Sequence, residues 1–245
     1  MRRIVIAVAI IAVALLVGGS VTSTSTDLSP NRRVAAVFVG DTDRHTCTAE
    51  SIHSTTGDLM LTAAHCVSAI TAPLHVVPGY AAGREPFGSW SVTAIYLDPA
   101  WISGQDDNHD FAVLRVAPPP GKHRRSLEAA TGRGFSFLPF RAGVGVRVIG
   151  YGAGSGDSPV GCRGSTRIAR GAPTITCRGL VDGTSGSPWL VKRSIIGIVG
   201  GFHQGGCVSF ISHSPILSDG LPALIARAER KGPGDTPPST VPDDC

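Results

Sequence analysis

The stretch Val181-Asp182-Gly183-Thr184-Ser185-Gly186-Ser187-Pro188 sets a serine among glycines, with an acidic residue upstream and a proline downstream. Glycine adopts turn conformations closed to other residues and lets a ligand approach the backbone. Backbone N–H groups in such a turn can point into one small space, as the stabilisation of a developing oxyanion requires. Taken alone, the segment would be interpreted as a surface turn rich in serine and glycine. Its interpretation therefore depends on the segments that accompany it.

Two upstream segments supply the chemistry that a serine hydroxyl lacks. They are Leu61-Thr62-Ala63-Ala64-His65-Cys66 and Asp110-Phe111-Ala112-Val113-Leu114-Arg115. Together with the serine segment they resemble the chymotrypsin/trypsin-like serine proteases, in which histidine, aspartate and serine follow one another in this order. Subtilisin-like and α/β-hydrolase enzymes use the same residue types in other orders. The resemblance covers residues 34–230.

The resemblance implies a fold and an activity. The fold would be two six-stranded antiparallel β-barrels with the site between them, followed by a C-terminal α-helix. The activity would be hydrolysis of peptide bonds in polypeptide substrates by a secreted endopeptidase, with no metal ion and no organic cofactor. Composition alone is less specific: 31 glycines, 18 prolines and only 16% charged residues suit many short strands joined by tight turns. Composition therefore indicates an all-β chain and no more.

The same resemblance assigns the catalytic roles. Ser185 would be the nucleophile, and His65 the base that takes its proton, because imidazole exchanges protons near neutral pH. Asp110 would accept a hydrogen bond from the other ring nitrogen and stabilise the imidazolium. The backbone N–H groups of Gly183 and Ser185 would form the oxyanion hole.

Neighbouring residues compete for two of these roles. Asp106 and Asp107 lie close to Asp110, but the apolar run begins directly after Asp110. Ser187 competes with Ser185 but lacks the flanking glycines. We therefore prefer Asp110 and Ser185.

Substrate-binding residues are also predicted from the resemblance. Gly179 stands six residues before Ser185, where trypsins carry an aspartate, so cleavage after Arg or Lys is not supported. Asp182 would influence the pocket entrance, and Gly200-Gly201-Phe202 resembles the strand that pairs with the substrate backbone. Cations that would favour acidic side chains are Arg178, His203 and His213. The sequence leaves the side-chain specificity open.

Two departures from the family pattern agree with each other. Thr184 precedes the nucleophile, where trypsin-like members have an aspartate that pairs with a newly liberated N-terminal ammonium. Arg33-Val34-Ala35-Ala36 stands where the Ile-Val-Gly-Gly start would be. We hypothesise that activation through an N-terminal ion pair is not used. The Gly-x-Ser-Gly-Ser-Pro pattern instead looks like the secreted bacterial branch that includes glutamyl endopeptidases.

The N-terminus predicts export. Met1-Arg2-Arg3 supplies the positive charge, residues 4–17 form an unbroken apolar run, and Gly18-Gly19-Ser20 offers small residues for cleavage after Ser20. The predicted location is therefore extracellular, with an uncleaved membrane anchor as the minor alternative because the run is marginal for a spanning helix. The formal net charge of +4 is mild, so neither nucleic acid nor a membrane surface is indicated as a partner. We expect a monomer without stable membrane association.

Composition shifts divide the chain. Pro118-Pro119-Pro120-Gly121 separates two halves with strand-like segments. Ser218 to Pro222 resembles a helix start, and apolar residues then recur at helical spacing. The predicted segments are a signal peptide (1–20), a polar arm or short propeptide (21–33), an N-terminal β-barrel (34–120), a C-terminal β-barrel (121–217), a helix (218–231) and a Pro-rich tail (232–245).

Six cysteines in an exported chain predict three disulfides. Cys47 and Cys66 match the family's bridge beside the catalytic histidine. Three pairings of the other four are compatible with the sequence. We favour Cys162–Cys177, which leaves Cys207 with Cys245, and the rival Cys177–Cys207 would link the walls of the specificity pocket.

A second function class competes with the peptidase. A fold does not guarantee activity, so a catalytically weak or inactive pseudoprotease could act as a binding module. The sequence retains the acid, the base and the nucleophile, which favours the enzyme.

Overall fold

The computed structural model describes residues 28–121, 125–208 and 210–241. In the first half, apolar and β-branched segments form six antiparallel strands that close into a barrel in the order β1-β2-β3-β6-β5-β4. These strands are β1 (Val34–Val39), β2 (His45–Ser51), β3 (Leu59–Thr62), β4 (Leu74–Pro78), β5 (Trp90–Leu97) and β6 (Ala112–Ala117). The predicted all-β class and the predicted first barrel are confirmed.

The second half forms a seven-stranded sheet in the order β13-β10-β9-β8-β11-β12-β7, where a six-stranded barrel was expected. Its strands are β7 (Ser136–Phe137), β8 (Gly145–Gly150), β9 (Val160–Ala169), β10 (Ala172–Thr176), β11 (Pro188–Val191), β12 (Ser194–Ile198) and β13 (Ile211–His213). The edge strands β7 and β13 have two and three residues, too few for a continuous closing ladder. The extra strand β7 pairs in parallel with β12.

Among the described residues, three short α-helices complete the fold: α1 (Pro99–Gly104), α2 (Leu127–Thr131) and α3 (Leu221–Glu229). Asp98 caps α1 by accepting from the Ala100 amide, and Ser126 caps α2 by accepting from the Ala129 amide. Helix α3 is the expected C-terminal helix, and it buries Leu221 and Leu224. No helix among the described residues is long and apolar enough to cross a membrane. Residues 1–27, with the predicted signal peptide, lie outside the described residues.

The Pro-rich segment after α3 runs back over the first barrel. Asp235 is its anchor: its amide donates to the Ile95 carbonyl, and its carboxylate accepts from the Leu97 amide at 2.8 Å. The carboxylate also pairs with Arg227 of α3. Further along, the Pro238 carbonyl accepts from the Ala69 amide.

Two disulfides are placed as predicted. Cys47 is bonded to Cys66, and Cys162 to Cys177. Cys207 is also disulfide-bonded, which excludes the rival pairing Cys177–Cys207. Cys245 lies outside the described residues.

Buried apolar residues form two clusters. The larger fills the first barrel and extends into the seam between the halves through Ile149, Leu190 and Ile198. The smaller lies within the second sheet around Trp189, with Val148 and Ile175. The seam matters for function because the candidate catalytic segments come from both halves.

A carboxyl group is buried in this arrangement without a partner. Glu50 lies on β2 between Val34 of β1 and Leu61 of β3, and its side chain is fully buried. Among the described residues, neither carboxylate oxygen has a hydrogen-bond partner. Burial therefore raises the pKa of Glu50 well above its ordinary value.

Glu50→Gln should remove a pH dependence of stability. Below the unfolded-state pKa both states hold the proton. Above it, the unfolded chain ionises while folded Glu50 stays protonated, so the free energy of unfolding falls as pH rises towards the raised pKa. The variant should match the parent near pH 4 and exceed it by about 1 kcal/mol or more near pH 8.

Urea unfolding at both pH values, with the disulfides intact and Ser185→Ala present to prevent self-digestion, measures this. The exposed Glu85→Gln is the matched control and should change neither value. An equal shift at both pH values would contradict the assignment to Glu50 ionisation.

Candidate active site

His65 and Asp110 are brought into contact by the first barrel. Strand β3 ends at Thr62, two alanines follow, and His65 begins a short 3₁₀ turn. Asp110 lies two residues before β6, the neighbour of β3. Its Oδ2 accepts from His65 Nδ1 at 2.7 Å, and its Oδ1 accepts from the His65 backbone amide at 2.8 Å. Both atoms of the carboxylate therefore orient the ring.

The loop that follows β12 in the second half completes the surroundings of Asp110. The Gly201 amide donates to Asp110 Oδ2 at 2.7 Å. A Cβ at Gly200 would lie 3.1 Å from the same oxygen, so a larger residue would press on the carboxylate. Sequence reasoning assigned Gly200 and Gly201 to substrate binding and missed this contact, because a backbone amide leaves no sequence signal.

Ser185 lies in a turn that is anchored to β2 of the first barrel. Its carbonyl accepts from the Thr48 amide at 2.9 Å, and the Thr48 carbonyl accepts from Thr62 Oγ1 at 2.7 Å. A Cβ at Gly186 would overlap the Thr48 carbonyl and approach the Ala63 amide to 3.2 Å. The serine turn thus packs against the start of the histidine segment.

Among the described residues, no hydrogen bond joins the Ser185 hydroxyl to the His65 ring. Such bonds are often long in a site without substrate and tighten only when substrate binds. Ser185 is partly exposed, whereas Ser187 is fully buried. Ser185 is therefore the serine that a substrate can reach.

The N–H groups of Gly183 and Ser185 belong to peptide groups whose carbonyls, those of Asp182 and Thr184, accept hydrogen bonds that fix the orientation of each peptide. The Asp182 carbonyl accepts from the Ala153 amide at 2.6 Å, and the Thr184 carbonyl from the Ser187 amide at 3.0 Å. In a planar trans peptide the following N–H points the opposite way. Within the described residues, the N–H groups of Gly183 and Ser185 have no acceptor. Two directed amides without acceptors suit an incoming oxyanion.

Thr184 is satisfied locally. Its hydroxyl donates to the Val181 carbonyl at 2.6 Å, and its amide donates to the same oxygen at 3.0 Å. Val34 is buried in β1 within a continuous chain, and its amide donates to the Asn31 carbonyl at 2.9 Å. Neither residue contributes to an N-terminal ion pair here.

A cavity of about 580 Å³ opens beside Ser185. Its buried wall includes the apolar residues Leu180 and Val199 together with Thr184, and the partly buried Ile211 lies beside them. Its ionisable lining residues are Arg44 and Asp182, both exposed, and the partly exposed His203. Asp182 therefore lies at the cavity, and its influence on substrate entry stays a prediction. Gly179 has a positive φ of 86° in the chain leading to it.

Two of the predicted cations do not reach this cavity. Arg178 stacks its guanidinium over the Phe210 ring, 5.7 Å from the centroid. His213 is buried, and its Nδ1 lies 3.0 Å from Thr174 Oγ1. Burial lowers the pKa of His213, and the nearby His203 and arginines lower it further. Neutral His213 would not attract an acidic substrate side chain.

A metal centre was not predicted, and the one candidate cluster among the described residues is unsuitable. Ligand atoms of Cys47, His65 and Cys66 lie within 4.8 Å of one another. Both cysteines are consumed by their disulfide, so no thiolate is available for a metal ion.

The chain resembles a known family over most of its length. The family model described as Trypsin matches residues 23–209. No curated protein is recognisably similar to the chain in sequence.

Solved structures share the fold at low sequence identity. The protease Anisep from Arthrobacter nicotinovorans is 21% identical with a TM-score of 0.68, covering 83% of this chain and 100% of its own. A Glu endopeptidase is 19% identical with a TM-score of 0.67, covering 84% and 97%. The human heparin binding protein is 16% identical with a TM-score of 0.67, covering 86% and 99%.

Proposed function

The chain belongs to the trypsin family of serine-type peptidases, and from that premise we propose that it is a secreted endopeptidase using Ser185, His65 and Asp110. The observation that carries the proposal is the bidentate hold of Asp110 on His65 next to an accessible serine. This contact fixes the tautomer with the proton on Nδ1, so Nε2 is left to accept the Ser185 proton.

The proposed reaction has two halves. Ser185 Oγ attacks the substrate carbonyl while its proton passes to His65 Nε2, and the carbonyl oxygen takes the negative charge. The amides of Gly183 and Ser185 stabilise that oxyanion. His65 then gives its proton to the departing amine, which leaves an acyl-enzyme. Water, deprotonated by His65, hydrolyses the ester and releases Ser185.

Asp110 stabilises the imidazolium in both halves. Its side chain is only 1% exposed, and the His65 side chain only 9%. Little solvent separates the two charges, so their attraction is stronger than it would be in bulk water. The Gly201 amide donates to the same carboxylate and holds it in its orientation towards His65.

We further propose that activity does not require a new N-terminus at Val34. Thr184 cannot pair with an ammonium as a carboxylate would, and its hydroxyl is already bonded to the Val181 carbonyl. The Leu28 amide also donates to the Pro159 carbonyl of the second half. Residues upstream of Val34 are thus part of the folded unit.

A fluorophosphonate probe tests both proposals in one experiment. The secreted protein is labelled, and mass spectrometry locates the modified residue and the N-terminal residue of the labelled chain. Modification of Ser185 in a chain that begins before Val34 is expected. An unlabelled but folded protein would support the inactive binding module instead, and labelling confined to chains beginning at Val34 would refute the activation proposal.

The apolar part of the cavity wall predicts the specificity. Because Leu180 and Val199 form this part of the wall, a charged side chain entering the cavity would lose hydration without a buried partner. Peptides with Leu or Phe before the cleaved bond should exceed those with Arg, Lys or Glu by about 10-fold or more in kcat/KM. A peptide-library digest measures this, and preferred cleavage after Glu or Arg would contradict it.

A further inference from the structure

We propose that His45 and Asp157 form a latch between the two halves that positions the oxyanion peptide of Gly183, making both of them positioning residues for the reaction. The proposal rests on the peptidase function proposed above. Residues 151–157 are named the latch loop, and residues 181–185 the oxyanion loop.

The latch joins β2 of the first barrel to a loop of the second half, 112 positions away. His45 Nε2 lies 2.5 Å from Asp157 Oδ1, and the His45 side chain is fully buried. The two backbones also pair: the His45 amide donates to the Gly154 carbonyl at 2.8 Å, and the Gly154 amide donates back at 3.1 Å. The side-chain contact therefore adds to an antiparallel backbone bridge between His45 and Gly154.

Only one side of the His45 ring is bonded. Among the described residues, its Nδ1 has no hydrogen-bond partner, so Asp157 is the polar group that fixes the ring. The rest of the ring packs edge-on against Phe38, Tyr80 and Tyr151, with centroid distances of 5.4–5.7 Å. The His45 ring is therefore held in one orientation by a carboxylate acceptor and by aromatic packing, unlike the side chains of an exposed ion pair.

Tyrosine hydroxyls hold the same loop at two further points. The Gly156 amide donates to the Tyr80 hydroxyl at 2.9 Å, and the Tyr151 hydroxyl donates to the Tyr80 carbonyl at 2.9 Å. The Asp157 carbonyl accepts from the Ala82 amide at 2.7 Å. The latch loop is thus fixed to the first barrel along its length.

The latch loop in turn fixes the oxyanion loop. The Ala153 amide donates to the Asp182 carbonyl at 2.6 Å. The Asp182 carbonyl and the Gly183 N–H belong to the same peptide group. A Cβ at Gly183 would overlap the Ala153 amide, so the two backbones are packed without spare room. A shift of Ala153 must therefore turn or displace the Gly183 N–H.

One residue of the first barrel holds both loops directly. Thr48 Oγ1 accepts from the Tyr151 amide at 2.9 Å and donates to the Gly183 carbonyl at 3.2 Å. Thr48 sets the beginning of the latch loop, and the His45–Asp157 contact sets its end. With both ends held, Ala153 in between has a defined position.

The effect should be specific to the transition state. Asp157→Asn weakens the contact with His45, and it should lower kcat about 10- to 100-fold while KM changes less than about 2-fold. The reason is that a small displacement of the Gly183 N–H weakens its hydrogen bond mainly in the transition state, when negative charge develops on the substrate oxygen. Affinity for a peptide boronate, which places an oxygen in the oxyanion hole, should fall by the same factor. His45→Gln, which keeps a side-chain donor, should retain more activity than His45→Ala.

Asp235→Asn is the matched control, since it also breaks an ion pair with a partly exposed carboxylate but lies against β5 and α3. It should leave kcat and boronate affinity unchanged. Wild-type kcat and boronate affinity in Asp157→Asn would overturn the proposal. Equal losses in Asp235→Asn would also overturn it, because they would reveal a general loss of stability.

Amide hydrogen exchange separates failure of the latch from failure of the peptidase function. In a protein that hydrolyses nothing, Asp157→Asn should still speed exchange in peptides covering 151–157 and 181–185, relative to those covering β3. Unchanged exchange in these loops would overturn the latch whether or not the parent protein is active.

Discussion

Replacing Ser185 by alanine should lower kcat for peptide hydrolysis by about 10⁶-fold while the fold is retained. The variant keeps the Thr48 amide contact, because that bond uses the Ser185 carbonyl and not the hydroxyl. No acyl-enzyme can form without Oγ, so residual hydrolysis would come from water bound near the oxyanion amides. Steady-state hydrolysis of a peptide amide, together with fluorophosphonate labelling and thermal unfolding, measures the three consequences.

Ser187→Ala is the control that separates the two serines. The Ser187 hydroxyl is fully buried and, among the described residues, has no hydrogen-bond partner. A Cβ at Gly150 would overlap it, so it fills space against β8 and is not aimed at solvent. Removing an unpaired buried hydroxyl costs little stability, and activity should remain. Activity lost in Ser187→Ala but kept in Ser185→Ala would reverse the assignment of the nucleophile.

The catalytic sequence motifs predicted more of the fold than the hydrophobic periodicity of the strands did. The string ending in His65-Cys66 and the run after Asp110 identified the family, and the family supplied the fold class and the disulfide Cys47–Cys66, whereas the C-terminal helix was also predicted from its apolar spacing. Such residues can be recognised in the sequence because their catalytic role requires a particular side chain. Strand β9 was not predicted, since glycines and arginines interrupt its alternation and its burial is partial.

The positions that organise the candidate site were the least predictable. Gly201 holds Asp110 through a backbone amide, and Ala153 orients the Gly183 peptide in the same way. Every residue except proline has such an amide, so nothing in the sequence distinguishes these two. Likewise, His45 and Asp157 are far apart in the chain and become partners only when the halves meet. Contacts of this kind depend on tertiary structure and not on local pattern.

Asp110→Asn should lower kcat by about 10⁴-fold while the overall fold is retained. An asparagine with its oxygen in the place of Oδ1 still accepts from the His65 backbone amide, which donates to that atom at 2.8 Å in the parent. Its NH₂ group then stands in the place of Oδ2, where it faces His65 Nδ1 as a donor and leaves the Gly201 amide without its acceptor. The ring would therefore carry its proton on Nε2, and it could not accept the proton of Ser185.

Two rates and one affinity show at which step Asp110 acts. Fluorophosphonate labelling of Asp110→Asn should slow in parallel with kcat, because both need deprotonation of Ser185, whereas peptide affinity should be nearly unchanged. Asp106→Asn is the matched control: Asp106 caps the turn at Asn108 and lies 3.4 Å from His109 Nδ1, without contacting His65. It should cost less than about 3-fold in kcat, in line with a surface substitution. A labelling rate that stays normal while peptide hydrolysis falls would show that Asp110 acts after acylation, and the proposed role of Asp110 in generating the nucleophile would then be wrong.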